Sequence, residues 1–297
     1  MLGSVVACGG AAAPQQSATG SPSVPTGSPA APTRSTDARA TPSPIDAGPT
    51  AAAVTLRELA LTFDGDARRV RVYVPEPTPT RDVPLVIVLH AAGETPTSAI
   101  QDTRFDELAG REGFIVAFPP ADGRAWEAQV VPQLPDSPVD ERYLSALIDR
   151  LIEDLPVDAS RVYVAGFSMG AVMAERMACR HADQIAAAAV VSGTPWVGGA
   201  CRPSRPVSML VMHGTVDSTF PFDLAKTLAD DWRALDGCTT TAAARSIGDG
   251  ATAVTSSDCS ADTSVEFISV EGGWHTWFAA PDATAISWRF FTDHGRP

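Results

Sequence analysis

The sequence predicts an α/β domain in which a mostly parallel central sheet carries helices on both faces. Short apolar runs recur along most of the chain, and helix-like stretches lie between several of them. Strands that alternate with helices are typical of a mostly parallel sheet. The composition agrees, because 44% of the residues are hydrophobic and 19% are charged, as in ordinary globular proteins. We expect one domain over residues 54–297, preceded by a different kind of segment over 1–53.

The net charge of −13 limits the partners that this chain is expected to have. Nucleic acids and anionic membranes attract clusters of Lys and Arg, so neither is expected as the main partner. No apolar run approaches the roughly 20 residues that a membrane-spanning helix needs. We also expect no cofactor and no metal, and the sequence leaves the oligomeric state open.

The first 53 residues differ in composition from the rest. Most residues between 9 and 53 are Ala, Pro, Ser, Thr or Gly, and none is aromatic. Such a segment buries too little apolar surface to offset its ordering entropy, so we predict a disordered, extended stalk. Small apolar residues lead into Cys8, as at the lipid-bearing cysteine of bacterial lipoproteins. Only seven residues precede Cys8, so membrane attachment through a lipid on Cys8 and a chance cysteine on an exported tail both stay open.

The domain begins with a predicted β-hairpin. Residues 54–62 and 67–74 flank Asp64-Gly65, a pair that favours a tight turn. The continuous apolar run 83–90 is typical of a strand buried on both faces. Further strands are predicted at 114–118, 161–165, 187–191, 208–212 and 264–270. Helices are predicted at 140–154, 170–181 and 223–235.

The strand at 161–165 leads into Gly-Phe-Ser-Met-Gly at 166–170, and a helix follows. A G-x-S-x-G pattern between a strand and a helix is typical of a nucleophile elbow. The sharp turn projects the Ser168 hydroxyl above the sheet edge, and the two glycines let the strand and the helix pass close together. The helix N-terminus adds backbone N–H groups for a developing oxyanion. We therefore predict that Ser168 is a catalytic nucleophile.

A serine nucleophile needs a base, and the chain has five histidines. With a nucleophile elbow, the order along the chain is serine, acid, histidine. That order excludes His90, which precedes the serine, and it excludes His181 and His213 because they leave too little room for an intervening strand and acid. His294 lies in a terminus that is expected to fray. His275 lies in a Gly-rich loop directly after the strand 264–270, so we predict that His275 is the base.

The acid is expected on a turn between the serine and the histidine. The strand 208–212 runs into His-Gly-Thr-Val-Asp, which ends at Asp217. A carboxylate just past a strand can orient the imidazole and stabilise its cation. Asp223, six residues later, is the alternative, and we favour Asp217.

Two further parts of a site follow from position alone. An oxyanion hole needs an N–H from the residue after the nucleophile and another from the loop after an early strand. The predicted donors are Met169 N–H and Ala92 N–H. Three tryptophans either line a substrate pocket or pack in the core: Trp126, Trp274 and Trp277.

Four cysteines lie in the second half of the chain: Cys179, Cys201, Cys238 and Cys259. They are either buried thiols or two disulfides of an exported protein. Four cysteines permit three pairings, and the sequence alone does not choose among them. We expect Cys179–Cys201 and Cys238–Cys259, because each pair closes a short loop and export is the favoured interpretation of the stalk.

Four motifs together resemble the polyhydroxybutyrate depolymerase and feruloyl esterase group of α/β-hydrolases, including LpqC-type lipoprotein esterases. They are LHAAG at 89–93, GFSMG at 166–170, HGTVD at 213–217 and GGWHTW at 272–277. The resemblance covers about residues 55–295, although the family usually has Gly where this chain has Ala91. It implies an α/β-hydrolase fold and ester hydrolysis through an acyl-enzyme on Ser168.

We therefore expect a secreted or surface-held serine esterase that acts on a small-molecule or oligomeric ester. Short-chain, aryl or carbohydrate esters are favoured over bulk polymer. Two other classes stay open at this point. One is a non-catalytic binding protein on the same fold, since fold does not fix function. The other is a serine peptidase or acyltransferase with the same three residues.

Overall fold

An 11-stranded mixed sheet runs through the part of the chain that the computed structural model describes, residues 53–296 except 124, 129–131 and 133–136. Its strands are β1 (Val54–Phe63), β2 (Asp66–Pro75), β3 (Val83–Leu89), β4 (Ile115–Phe118), β5 (Val157–Phe167), β6 (Ala187–Val191), β7 (Ser208–Gly214), β8 (Thr240–Thr241), β9 (Arg245–Gly248), β10 (Ala251–Ser257) and β11 (Val265–Val270). Cys8 and residues 9–52 lie outside the described residues, so the stalk and the lipid anchor stay predictions.

The strands follow the order β1-β2-β4-β3-β5-β6-β7-β11-β10-β8, and β9 pairs with β10. The six central strands, from β4 to β11 in this order, run parallel to one another. Antiparallel pairs flank them, because β2 pairs antiparallel with β1 and β4, and β10 with β11. The predicted mostly parallel sheet is confirmed.

The helices cover both faces of this sheet, as predicted. They are α1 (Pro96–Thr103), α2 (Phe105–Glu112), α3 (Val139–Asp154), α4 (Met169–Arg180), α5 (Phe222–Leu235) and α6 (Ala283–Thr292). Buried side chains of α3, α4 and α5 pack in one core, and those of α1, α2 and α6 pack in another. Alternate residues of β3 point to the two cores: Leu85 and Ile87 to the first, Val86 and Val88 to the second. The continuous apolar run of β3 is thus explained by burial on both faces.

The sequence did not predict α1, α2, α6 or the antiparallel strands β8, β9 and β10. The strand β9 is mostly exposed, and β10 alternates buried Ala with partly exposed Thr, so neither has a continuous apolar run. The predicted strand at 161–165 is part of the longer β5, which begins at Val157. No helix among the described residues has the length and apolar character needed to cross a membrane.

The connectivity brings the predicted site segments to one edge of the sheet. The chain leaves β3 for β4 on one side and then returns to β5 on the other side of β3. Loops at such a reversal open at the carboxyl ends of the parallel strands, where α/β folds bind ligands. The segments directly after β3, β5, β7 and β11 carry all the predicted catalytic and oxyanion residues, and Met169 is the first residue of α4.

The structure contains both predicted disulfides. Cys179, in the last turn of α4, bonds to Cys201 with a Cα–Cα distance of 5.6 Å. Cys238, just after α5, bonds to Cys259 with a Cα–Cα distance of 3.8 Å. The first ties the helix that follows the nucleophile to the loop before β7, and the second ties the end of α5 to the turn before β11.

Candidate active site

The turn that carries Ser168 has a strained backbone. Ser168 has φ 56° and ψ −120°, a conformation that side-chain-bearing residues rarely adopt. A Cβ atom on Gly166 would lie 2.1 Å from the carbonyl oxygen of Gly170, and one on Gly170 would lie 2.2 Å from that of Leu89. Both glycines are therefore required for β5, α4 and the end of β3 to approach this closely.

Ser168, His275 and Asp217 form one chain of hydrogen bonds. The Ser168 Oγ lies 2.9 Å from His275 Nε2, and Asp217 Oδ2 lies 2.7 Å from His275 Nδ1. The carboxylate accepts from Nδ1–H, which leaves Nε2 free to accept the serine proton. The structure thus brings together the three residues that the sequence singles out, from the ends of β5, β7 and β11.

Asp217 is buried and well satisfied. Its Oδ1 accepts hydrogen bonds from the backbone N–H groups of Thr219 and Phe220, at 2.8 and 2.9 Å. The alternative acid, Asp223, is exposed at the start of α5 and pairs with Lys226 instead. The geometry therefore favours Asp217 over Asp223.

His213 lies beside Asp217, the predicted acid, and is buried there. Its Nε2 lies 2.9 Å from the carbonyl oxygen of Phe220 and 3.2 Å from Asp217 Oδ2. A carbonyl can only accept, so Nε2 carries the proton and donates it to Phe220. Burial lowers the pKa of His213, which favours the neutral ring. His213 therefore adds a fixed N–H dipole beside the carboxylate.

The loop that carries His275 packs directly on the loop that carries Asp217. A Cβ on Gly214 would lie 2.1 Å from the carbonyl oxygen of Gly273, and that same oxygen accepts the Val216 N–H at 3.1 Å. The rings of Phe167 and Phe220 lie 5.1 and 5.4 Å from the His275 ring. Backbone contact and aromatic neighbours thus fix both the position and the tilt of the imidazole.

The predicted oxyanion loop, which follows β3, is fixed by His90. His90 Nδ1 donates to the carbonyl oxygen of Ala91 at 2.8 Å, and Nε2 accepts from the Ala121 N–H at 3.2 Å. The Ala91 carbonyl belongs to the same peptide plane as the N–H of Ala92. Neither that N–H nor the N–H of Met169 has a protein acceptor among the described residues. Both predicted donors are available for a ligand.

The three tryptophans have different environments. Trp126 is 1% exposed and donates from Nε1 to the carbonyl oxygen of His90 at 2.9 Å. Trp277 is 6% exposed and donates from Nε1 to Thr284 Oγ1 at 3.0 Å. Core packing is therefore the correct interpretation for these two. Trp274, next to His275, is 74% exposed.

His294 is ordered, so the expectation of a frayed terminus is wrong at this residue. Its Nε2 lies 2.8 Å from Ser264 Oγ, and its Nδ1 donates to the carbonyl oxygen of Phe290 at 2.7 Å. Ser264 precedes β11, at the sheet edge opposite His275.

Across the described residues, no group of three or more His, Cys, Asp or Glu side chains is arranged to hold a metal ion.

Comparison with known proteins gives a family match over residues 63–250, to the family described as Esterase. The match covers Ser168 and Asp217 but ends before His275. A bifunctional acetylxylan esterase/xylanase of Neocallimastix patriciarum is 30% identical over 171 residues, which are 57% of this chain and 24% of that protein. Feruloyl esterase C of Emericella nidulans is 30% identical over 159 residues, 51% of this chain and 57% of that protein. The chain thus spans at most about three fifths of these curated relatives.

Solved structures share the fold. An acetyl xylan esterase from Aspergillus awamori aligns with a TM-score of 0.64 and 20% identity over 80% of this chain and 99% of that one. A feruloyl esterase module from Clostridium thermocellum aligns with a TM-score of 0.61 and 14% identity, over 83% and 90% of the two chains. The α/β-hydrolase fold and the resemblance to feruloyl esterases are confirmed, while a specific likeness to polyhydroxybutyrate depolymerases or LpqC-type lipoproteins stays a prediction. The match over more than half of its length shows that this chain belongs to the Esterase family.

Proposed function

We propose that the protein is a serine carboxylic-ester hydrolase that works through an acyl-enzyme on Ser168. The observation that carries this proposal is the continuous hydrogen-bond chain from Ser168 Oγ through His275 to Asp217. A neutral imidazole accepting from a serine hydroxyl, with a carboxylate behind it, is the arrangement that activates serine as a nucleophile. Membership of the Esterase family supports the same chemistry.

The reaction begins when Ser168 Oγ attacks the ester carbonyl carbon and its proton passes to His275 Nε2. The carbonyl oxygen becomes an oxyanion, which the N–H groups of Ala92 and Met169 would stabilise. When the C–O bond breaks, the proton on His275 goes to the leaving alkoxide and releases the alcohol. Water then attacks the acyl-enzyme, with His275 as base again, and releases the acid.

Asp217 acts through His275. Its carboxylate keeps the Nδ1–H tautomer in place and stabilises the imidazolium that forms during attack. The N–H groups of Thr219 and Phe220 donate to one oxygen of the carboxylate, and His275 Nδ1–H donates to the other. The carboxylate therefore does not have to reorient during the reaction.

For the substrate, we propose short-chain, aryl or carbohydrate esters. Two relatives of this chain are named as an acetylxylan esterase/xylanase and a feruloyl esterase. Trp274 offers a largely exposed aromatic face one residue from the group that protonates the leaving alcohol. Such a face can contact the flat side of an aryl or sugar ring.

For its location, we propose that the protein works outside the cytoplasm. Two disulfides are typical of proteins that mature in an oxidising compartment. Attachment to a membrane through a lipid on Cys8 is part of this proposal, and mass measurement of the natively produced N-terminal peptide tests it.

Hydrolysis of p-nitrophenyl acetate by the purified chain and by Ser168→Ala tests the proposed reaction. We expect turnover by the wild type and none above background in the variant. A wild type that binds esters without turnover would indicate a binding protein. A panel of feruloylated sugars, acetylated xylan, hydroxybutyrate oligomers and peptides then identifies the substrate, and cleavage of peptides alone would contradict the assignment as an esterase.

A further inference from the structure

The turn after β6 contains a second strained residue beside the site, Ser192. Ser192 has φ 49°, in the left-handed region that favours glycine, and its side chain is fully buried. A glycine would adopt this backbone without strain. The chain nevertheless has a serine there, so the use of its hydroxyl is informative.

The Ser192 hydroxyl contacts the loop that carries the base. Its Oγ donates to the carbonyl oxygen of Thr276, the residue directly after His275, at 2.9 Å. The other contacts that hold this loop on the acid side lie before His275, where Gly272 N–H donates to Thr215 Oγ1 and Gly273 O accepts from Val216 N–H. The hydrogen bond from Ser192 therefore fixes the loop on the carboxyl-terminal side of His275.

The same turn also holds the nucleophile and the acid strand. The carbonyl oxygen of Val191 accepts the N–H of Ser168 at 3.1 Å, and the N–H of Ser192 donates to the carbonyl oxygen of Met212 at 2.9 Å. Met212 belongs to β7, which leads to Asp217. Two consecutive residues, Val191 and Ser192, thus contact the nucleophile, the strand of the acid and the loop of the base.

We propose that Ser192 is a positioning residue that sets the distance between Ser168 Oγ and His275 Nε2, and that its strained backbone is kept so that the hydroxyl reaches Thr276. This inference rests on the proposed function, because a positioning role is meaningful only if Ser168 and His275 react. A misplacement of about 1 Å between reacting groups can cost about 100-fold in rate.

The test compares Ser192→Gly and Ser192→Ala with the wild type in p-nitrophenyl acetate hydrolysis. Both variants lose the hydroxyl, but Gly also relieves the strain, so Ser192→Gly is expected to fold at least as well as Ser192→Ala. We expect kcat to fall about 10- to 100-fold in both variants, with KM changed less than threefold. Melting temperatures measured in parallel separate this loss from unfolding.

The matched control is Ser287→Ala. Ser287 is a fully buried serine of α6 whose hydroxyl donates to the carbonyl oxygen of Ala283 at 2.7 Å, away from the proposed site. It should lose stability without losing kcat. Wild-type kcat in a folded Ser192→Gly, or a loss of equal size in folded Ser287→Ala, would overturn the positioning role and leave the proposed function intact. Absence of ester hydrolysis by the wild type would instead overturn the proposed function, and the positioning role with it.

Discussion

Two regions position the proposed catalytic side chains in different ways. They are the nucleophile turn, residues 166–170 with Ser168, and the base loop, residues 271–277 with His275. At the nucleophile turn, a side chain on Gly166 would meet Gly170, four residues away. At the base loop, a side chain on Gly214 would meet Gly273, which lies 59 positions further along the chain. In both regions a missing Cβ lets two backbones approach closely, but the contact between Gly166 and Gly170 is local, whereas the contact between Gly214 and Gly273 joins the end of β7 to the loop after β11.

This difference determines what each region depends on. The nucleophile turn contains a local contact between Gly166 and Gly170, to which Leu89 of β3 and Val191 of β6 add contacts from other strands. The base loop is held by other segments, through Gly214, Asp217 and Ser192. We therefore expect changes in distant segments to disturb the base loop more than the nucleophile turn.

The largest effect should come from removing either end of the hydrogen-bond chain. Ser168→Ala and His275→Ala should each lower kcat by about 10⁴-fold or more, because the members act as a unit. Steady-state rates with p-nitrophenyl acetate measure this, and circular dichroism checks folding. His294→Ala is the matched control, and wild-type turnover in His275→Ala combined with a loss in His294→Ala would refute the choice of base.

The second prediction compares the two glycine contacts directly. Gly166→Ala and Gly214→Ala each place a methyl group about 2 Å from a carbonyl oxygen, so each should cost about 3 kcal/mol or more of unfolding free energy. Urea denaturation measures both variants. Gly295→Ala, whose added Cβ would be 3.9 Å from Arg161, should be close to neutral. A neutral Gly214→Ala would show that the acid and base loops are not packed as described.

The third prediction concerns the two disulfides, one at the end of α4 and the other just after α5. Replacing Cys179 and Cys201 by Ser, or Cys238 and Cys259 by Ser, should each lower the free energy of unfolding by about 3 kcal/mol, since the closed loops are of similar length. Neither bridge includes a residue of the hydrogen-bond chain from Ser168 through His275 to Asp217, so kcat of the folded variants should stay within threefold of the wild type. Recovery of four alkylatable thiols from the native protein would contradict the pairing.

The fourth prediction is a pH dependence of stability at α4, the helix that follows Ser168. Glu175 of α4 is buried and accepts the Trp196 N–H at 2.7 Å, and burial raises its pKa to about 8. The folded state therefore binds this proton more tightly than the unfolded state, whose carboxyl has a pKa near 4.5. Stability contributed by this group is present below pH 4.5 and is lost as the pH rises towards 8.

Glu175→Gln isolates that contribution. The difference in unfolding free energy between the wild type and the variant should fall as the pH rises from about 4.5 to about 8, and should be constant above that. Urea denaturation at a series of pH values measures it. A difference that does not change with pH would show that Glu175 is charged in the folded protein.

The contrast between local and long-range contacts also explains how much the sequence predicted. The parallel strands could be predicted because burial on both faces leaves continuous apolar runs in the sequence, as in β3. The proposed catalytic residues could also be predicted, because Ser168, Asp217 and His275 each lie in a short motif just after a strand. The contacts of Ser192 and His90 could not be predicted. Each side chain bonds to a backbone carbonyl group, that of Thr276 or Ala91, and a sequence pattern does not give the orientation of a carbonyl group. The edge strand β9 was missed because exposure removes its apolar signal.

Covalent labelling of the serine tests the central claim most directly. A fluorophosphonate reacts with a serine only when a neighbouring base activates it, and the adduct stays on the oxygen that attacked. After labelling of the wild type and digestion, mass spectrometry should find one adduct, on Ser168, with no adduct in Ser168→Ala and labelling slowed by orders of magnitude in His275→Ala. An adduct on another residue, or equal labelling rates in the wild type and His275→Ala, would contradict the account.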